Sequence, residues 1–288
     1  MLKIFKKITV VAHHSTEEVK DTLNTLLEFL QTQQLDIHCE THAVEYTHLG
    51  ENADLVIVVG GDGSMLRAAK CAAKYNTPVL GINHGRLGFL TDIRPQEITT
   101  RLAAILAGEY WIGERFFLHA ETNFNNQQNH CGLALNDVVL SPGRTPHMLE
   151  FEIYVDDKFL CSHRADGLIV ATPTGSTAYA LSGGGPIIQP DVDALVMLPM
   201  FSHTLTSRPI VVPGDSIVRI EFSADNETDS QLSCDGGDIV SMPPGGHVQI
   251  AKNSQTVQLI HPLDYNYYAA LRSKLDWGKK LTPSGEKS

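Results

Sequence analysis

Apolar residues in the first hundred positions follow two periods. The uninterrupted run at residues 55–59 predicts a strand covered on both faces, and the runs at 8–12 and 78–82, with a weaker one at 35–39, predict further strands. Val19, Leu23, Leu26, Leu27 and Leu30 recur at helical spacing behind Ser15-Thr16-Glu17-Glu18, which has capping-box spacing. The Ala-rich residues 65–74 predict a second helix, and residues 95–108 a third, with Ile98, Leu102, Ile105 and Leu106 along one side. Strands alternating with helices imply a parallel doubly wound sheet, whose ligands sit beyond the carboxyl ends of the strands.

Past residue 100 the pattern changes. Short β-rich segments at 116–124, 132–140, 148–155 and 216–222 are separated by Asn, Gly, Pro and Asp. In the clearest, Leu149, Phe151, Ile153 and Val155 alternate with Glu150, Glu152 and Tyr154, and Asp156-Asp157 reads as a hairpin turn. The expected architecture is an α/β N-terminal domain over residues 1–100 and an all-β C-terminal domain over 101–261. The polar tract 123–130 reads as a hairpin tip in solvent. Residues 261–277 read as a helix started by Asp264 and carrying Tyr267, Tyr268, Leu271 and Leu275. The tail, 262–288, is expected to pack back on the first domain, with residues 282–288 disordered.

Composition narrows the class. A net charge of −11 argues against a nucleic-acid partner, which needs a broad basic face. No apolar run reaches bilayer length, and the start of the chain is too short and too charged for a secretory signal, so no membrane and a cytoplasmic location are expected. Cys39, Cys71, Cys131, Cys161 and Cys234 are odd in number, widely spaced and free of any C-x-x-C, which argues for free thiols rather than disulfides or a zinc site.

The candidate chemistry begins at Gly60-Gly61-Asp62-Gly63, between the 55–59 strand and the helix that follows. Glycines there let bare backbone approach a ligand, and the N–H groups and positive end of the helix favour an anion. Beside a phosphate, Asp62 would either hold a cation or take a proton from an attacking hydroxyl; a tight turn with a capping Asp is the plain alternative. The turn is neither G-x-G-x-x-G nor G-x-x-x-x-G-K-[ST]. His84 and Arg86, in the loop closing the 78–82 strand, are further possible anion contacts. Residues 164–186 form the second concentration: small hydroxyls and glycines suit a nucleotide's sugar and phosphates, Tyr179 offers a flat face to a base, and Asp166 an acceptor to an amide or hydroxyl.

Gly60-Gly61-Asp62-Gly63 together with Asp166-Gly167-Leu168-Ile169-Val170-Ala171-Thr172-Pro173-Thr174-Gly175-Ser176-Thr177-Ala178-Tyr179 resembles the NAD kinases, in the version of the bacterial ATP-dependent enzymes. The likeness runs on through Asn136-Asp137, His203 to Pro209, and Ser233-Cys234-Asp235-Gly236. It implies ATP-dependent phosphorylation of the adenosine ribose 2′-hydroxyl of NAD, with NAD and ATP as partners and a divalent cation, Mg2+, carried largely by the nucleotide phosphates. By that likeness Asp62 is the general base. Gly60, Gly61 and Gly63, with Arg67, face the phosphates; Asn136, Asp137, His147, Arg164, Asp166 and Thr174 bind the dinucleotide. Thr177, Ala178, Tyr179, Ala180, Leu181 and Ser182 would line the adenosine pocket, and the resemblance implies a homodimer or homotetramer, which the sequence itself does not reveal. A diacylglycerol- or sphingosine-type lipid kinase shares the first motif, and a non-catalytic NAD(P) sensor would share the pocket. One departure stands out: many relatives carry Gln after Asp-Gly or Asp-Ser, where this chain has Gly237, which implies one dinucleotide hydrogen bond fewer.

Overall fold

The computed structural model describes residues 4–12, 16–41, 48–84, 88–124, 127–143, 147–227 and 229–277, with the side chains of 127–130 left out. The chain forms two compact units, residues 1–112 with 259–288, and residues 113–258. Arg86 and residues 282–288, named above, lie outside the described residues.

In the first unit, β1 (Lys7–Ala12), α1 (Glu17–Thr32), β2 (Asp36–Glu40), β3 (Leu55–Val59), α2 (Asp62–Ala73), β4 (Val79–Ile82) and α3 (Ile98–Leu106) follow one another. The strands are parallel in the order β2-β1-β3-β4, with Ile8 opposite Leu55 and Val56 opposite Val79. All five β3 residues are buried, as an uninterrupted apolar run requires. The apolar stripe of α1 (Val19, Leu23, Leu26, Leu30) meets Ile8, Val10, Ile57 and Leu80 of the sheet and Ile98, Leu102 and Ile105 of α3. Burying each large aliphatic side chain contributes roughly 1.5–3 kcal/mol before the cost of ordering the chain.

The starts of α1 and of the last helix differ from the sequence reading. At α1 the cap is Thr16, whose Oγ1 accepts the Val19 N–H at 3.4 Å; the position that would return the bond in a capping box is then Val19, which cannot. After α3 the chain leaves this unit and returns with Leu259 pairing Val79 in parallel. The last helix then starts not at Asp264 but at Asn266, whose Oδ1 accepts the Ala269 N–H at 3.0 Å. Asp264 instead accepts a hydrogen bond from Arg101, which holds its carboxyl below the ordinary carboxylate range. Beside it, the His261 ring is stacked on Trp111 and on Tyr265, each at 4.4 Å between centroids, and bonds to the Asp92 carboxylate.

The second unit is rich in sheet. It holds β5 (Tyr110–Phe124), β6 (Gln127–Ala134), β7 (Asp137–Pro142), β8 (Leu149–Val155), β9 (Lys158–Ala165), β10 (Gly167–Ala171), the short α4 (Tyr179–Ser182), β11 (Ala194–Met200), β12 (Ile210–Pro213), β13 (Val218–Phe222), β14 (Ser230–Cys234), β15 (Gly237–Met242) and β16 (His247–Pro262), of which β5 starts and β16 ends in the first unit. One antiparallel array runs β16-β13-β8-β9 and a second sheet runs β12-β11-β10-β7-β14-β15. The alternation of β8 puts Leu149, Phe151 and Ile153 into a core with Val138, Leu140, Leu168, Val170, Ile220 and Leu232. Asp156 and Asp157 turn the β8–β9 hairpin at φ 50° and 59°, the left-handed pair that matches strand twist.

The 132–140 segment, expected as one strand, is broken. β6 ends at Ala134 and β7 starts at Asp137, because the backbone between them turns aside to other partners. The 123–130 tract is backbone-paired across β5 and β6 from Asn123 opposite Gln128 to Phe124 opposite Gln127, and the tip itself, 125–126, lies outside the described residues.

Candidate functional site

In the first unit the glycine turn sits at the carboxyl end of β3, tied to the end of β4 by the Gly60 N–H, which donates to the Ile82 carbonyl at 2.9 Å. The helix begins earlier than the Ala-rich run predicts. Gly61, extended at φ −97° and ψ −174°, is the residue before it, and Asp62 is its first residue. No side chain caps α2, so Asp62 does not cap its own helix. Its carboxylate turns to the loop after β4, where Oδ2 accepts the Phe89 N–H at 2.9 Å and Oδ1 the Leu90 N–H at 3.0 Å.

That loop is anchored in turn. The Thr91 Oγ1, fully buried, accepts from Gly88 N and from Asn83 Nδ2, both at 3.0 Å. At Gly88 a Cβ would lie 2.0 Å from Asp62 Oδ1, so a side chain there would have to displace the Asp62 carboxylate. At Gly61 and Gly63, by contrast, a Cβ would meet nothing among the described residues within 4 Å. The turn thus combines open space over bare backbone, the N-terminus of a helix, and one carboxylate of fixed direction. A carboxylate offers roughly four lone-pair sites, so Asp62 keeps acceptor capacity beyond its two N–H partners. Arg67 is exposed on α2, and His84 is half-buried at the end of β4.

The second unit holds the other candidates. Asp235, at φ 52° in the β14–β15 turn, directs its carboxylate at three consecutive backbone N–H groups: Leu135 at 2.9 Å, Asn136 at 2.8 Å and Asp137 at 3.2 Å. Its own N–H donates to the Asp137 carbonyl at 3.0 Å. On the opposite side Thr172 N donates to the Asn136 carbonyl at 2.9 Å, and Thr172 Oγ1 donates to the Leu135 carbonyl at 2.6 Å. Gly175 lies against the same peptide, where a Cβ would come within 2.0 Å of the Asn136 oxygen. Asn136 and Asp137 are therefore gripped between two turns.

The hydroxyls of the 172–177 passage divide in role. Thr172 and Ser176 are turned inward; the fully buried Ser176 Oγ donates to the Pro173 carbonyl at 2.6 Å and accepts the Ile188 N–H at 2.9 Å. Thr177 Oγ1 bonds to the Thr174 carbonyl at 3.1 Å. Thr174 is buried, Thr177, Ala178 and Leu181 are half-buried, and Tyr179 and Ser182 are exposed. Ala180 is fully buried among Ile169, Ala171, Ile188 and Leu198, so its side chain packs the core. Arg164 and Asp166 are exposed on either side of Ala165, tied by backbone bonds to His203 and Met200, and the Arg164 guanidinium lies 3.6 Å from Glu150. His147 is exposed ahead of β8.

Sequence reasoning missed Gly88, Thr91 and Asn83, which hold the loop facing Asp62, and gave Asp235 no role. Asp235 was named only within the resemblance, as part of Ser233-Cys234-Asp235-Gly236, and by its Asp-Gly turn signal. Cys131 and Cys234, read as plain thiols, are both buried with sulfurs 3.0 Å apart, and none of the five cysteines forms a disulfide.

Solved structures show the fold first: a yeast NADH kinase complexed with NADH superposes with a TM-score of 0.84 at 21% identity, over 99% of this chain and 91% of that one. An NAD kinase from Archaeoglobus fulgidus in complex with ATP gives 0.72 at 25% identity, over 93% and 99%. Sequence then sets the family. Residues 5–110 match the ATP-NAD kinase N-terminal domain and residues 135–262 the ATP-NAD kinase C-terminal domain, so the chain belongs to the ATP-NAD kinase family. The NAD kinase of Pseudomonas entomophila (strain L48) is 49% identical over 96% of this chain and 97% of its own length, and that of Pseudomonas fluorescens (strain Pf0-1) 48% identical over 98% and 99%.

Proposed function

We propose that this chain is an NAD kinase that transfers the terminal phosphoryl group of ATP to the adenosine ribose 2′-hydroxyl of NAD, giving NADP. The observation that carries the reading is Asp62: one carboxylate, held by two backbone N–H bonds beside an open glycine turn and a helix N-terminus. In this reading Asp62 takes the proton of the attacking hydroxyl while Gly60, Gly61 and Gly63 leave main chain open to the phosphates, with Arg67 on the same helix. A positioned base supplies about 10²–10⁴ in rate. The remainder comes from alignment and from stabilising charge on the phosphoryl group.

Asn136 and Asp137 supply an amide and a carboxylate to the dinucleotide, with His147, Arg164, Asp166 and Thr174 as further contacts and Thr177, Ala178, Tyr179, Leu181 and Ser182 around the adenosine. Ala180 supports that segment from the core. Among the described residues no three His, Cys, Asp or Glu side chains are grouped to hold a metal. We assign Mg2+ to the triphosphate it accompanies. The first unit is read as doubly wound. Its order β2-β1-β3-β4 reverses between β1 and β3, and right-handed crossovers then put α1 and α2 on opposite faces. That reversal is where such sheets take ligands. A cytoplasmic enzyme fits the lack, among described residues, of a helix long and apolar enough to cross a membrane. Self-association through the sheet-rich unit fits the exposed Ile210 and Val211 on edge strand β12.

Incubation with NAD, ATP and magnesium tests the activity: NADP is the expected product, and NAD binding without NADP formation would make the chain a binding protein instead. A finer expectation concerns Gly237. A Cβ there lies 3.8 Å from its nearest neighbour, the Cys234 carbonyl oxygen, so the position has room for a longer side chain. Gly237→Gln is expected to lower the Michaelis constant for NAD by about tenfold, the worth of one added polar contact. An unchanged constant in steady-state assays removes that role.

A further inference from the structure

We infer that Asp235 is a positioning residue for the dinucleotide, acting through Asn136 and Asp137 without touching the ligand itself. The inference rests on the reading above that this pair contacts NAD. Leu135 and Asn136 lie between the end of β6 and the start of β7, and Asp137 opens β7 opposite Ala171; the N–H groups of all three find their acceptor in one side chain. Leu135 is fully buried and Asp137 is 4% exposed, so water does not offer a ready substitute.

The Asp235 carboxylate collects all three: Oδ2 takes Leu135, and Oδ1 takes Asn136 and Asp137. Only an acceptor-only group can do this. Asparagine would turn an N–H toward one of the donors, and glycine, the residue best suited to φ 52°, would offer nothing.

The consequence is directional. Asn136 has its N–H held by Asp235 and its carbonyl held by Thr172 N, so the peptide plane on each side of its Cα is set. Asp137 has its N–H held by the Asp235 carboxylate and its carbonyl by the Asp235 N–H. The directions of the side chains at 136 and 137 then follow from a residue about a hundred positions away in sequence, as small errors in placing a binding group translate into large losses of affinity.

The test uses the full chain and steady-state kinetics in both substrates, with thermal melting alongside. Asp235→Ala is expected to raise the Michaelis constant for NAD on the order of ten- to hundredfold, with that for ATP changed by less than about twofold. Asp235→Asn, which can keep the Oδ1 bonds to Asn136 and Asp137 and loses the Leu135 bond, should fall between wild type and alanine, and it carries the test alone if the alanine variant does not fold. Constants that rise together for both substrates, or a lower melting temperature with no change for NAD, overturn the proposal. A double-mutant cycle separates it from the reading beneath it. Asn136→Ala alone should raise the constant for NAD, and adding Asp235→Ala should then cost less than about threefold more. If Asn136→Ala has no effect, the pair does not contact the dinucleotide; if it has one and the two effects multiply in full, Asp235 does not act through the pair.

Discussion

Asp62→Asn is expected to lower turnover by at least about a hundredfold while NAD binding is largely retained. The substitution keeps size and shape but removes the carboxylate to which we assign acceptance of the hydroxyl proton. The surroundings add a second effect. Both carboxylate oxygens accept a backbone N–H, from Phe89 and from Leu90. An amide serves only one of these, and its NH2 then faces the other donor. That conflict costs about 1–3 kcal/mol and should appear as a drop of a few degrees in melting temperature. Single-turnover kinetics, calorimetric NAD binding and a thermal melt together check the prediction; unchanged turnover would remove Asp62 from the role of base.

The second large effect is expected at Gly175. A Cβ there would stand 2.0 Å from the Asn136 carbonyl oxygen, 2.4 Å from its carbon and 2.7 Å from its Cα. These are backbone atoms, so no rotamer change relieves the overlap. Asn136 or the 172–175 turn must move, against the Thr172 and Asp235 bonds that hold the peptide. Gly175→Ala is expected to destabilise the chain by about 1–3 kcal/mol and to raise the Michaelis constant for NAD by tenfold or more, leaving that for ATP nearly unchanged. Denaturant titration and two-substrate kinetics measure the two effects. A variant with wild-type stability and kinetics would mean that this close approach is not required.

Both effects arise from contacts that the linear pattern carries poorly. Periodicity exposed the stripe of α1 and the run of β3, because each buried residue there is marked by its own apolar character. It also exposed the alternation of β8 and the turn at Asp156 and Asp157. It did not expose β16, whose apolar positions are interrupted by Lys252-Asn253-Ser254-Gln255-Thr256, or β15, which opens on Gly237-Asp238. Strands of that kind are held by backbone pairing with partners elsewhere in the chain, which side-chain pattern does not encode.

The site divides in the same way. The glycine turn and the hydroxyl-rich passage were legible because their chemistry is local and dense. The anchors were not. Asp235 reaches N–H groups 98 to 100 residues away, and Asp62 reaches groups 27 and 28 residues away. Backbone donors have no residue identity, so nothing at Leu135, Phe89 or Leu90 announces that a carboxylate will meet it. The inward turn of Thr172 and Ser176 was hidden for a related reason: a hydroxyl that serves the fold and one that meets a ligand are the same letter.

The ring stack at the end of β16 gives this chain an optical handle. Of its two tryptophans, Trp277 is half exposed, whereas the Trp111 indole lies against the imidazole of His261. Intrinsic fluorescence therefore contains one solvent-relaxed emitter and one whose brightness depends on a neighbouring heterocycle. Because His261 and Tyr265 belong to the segment that returns to the first unit, the second emitter reports, without any label, whether that returning segment is seated.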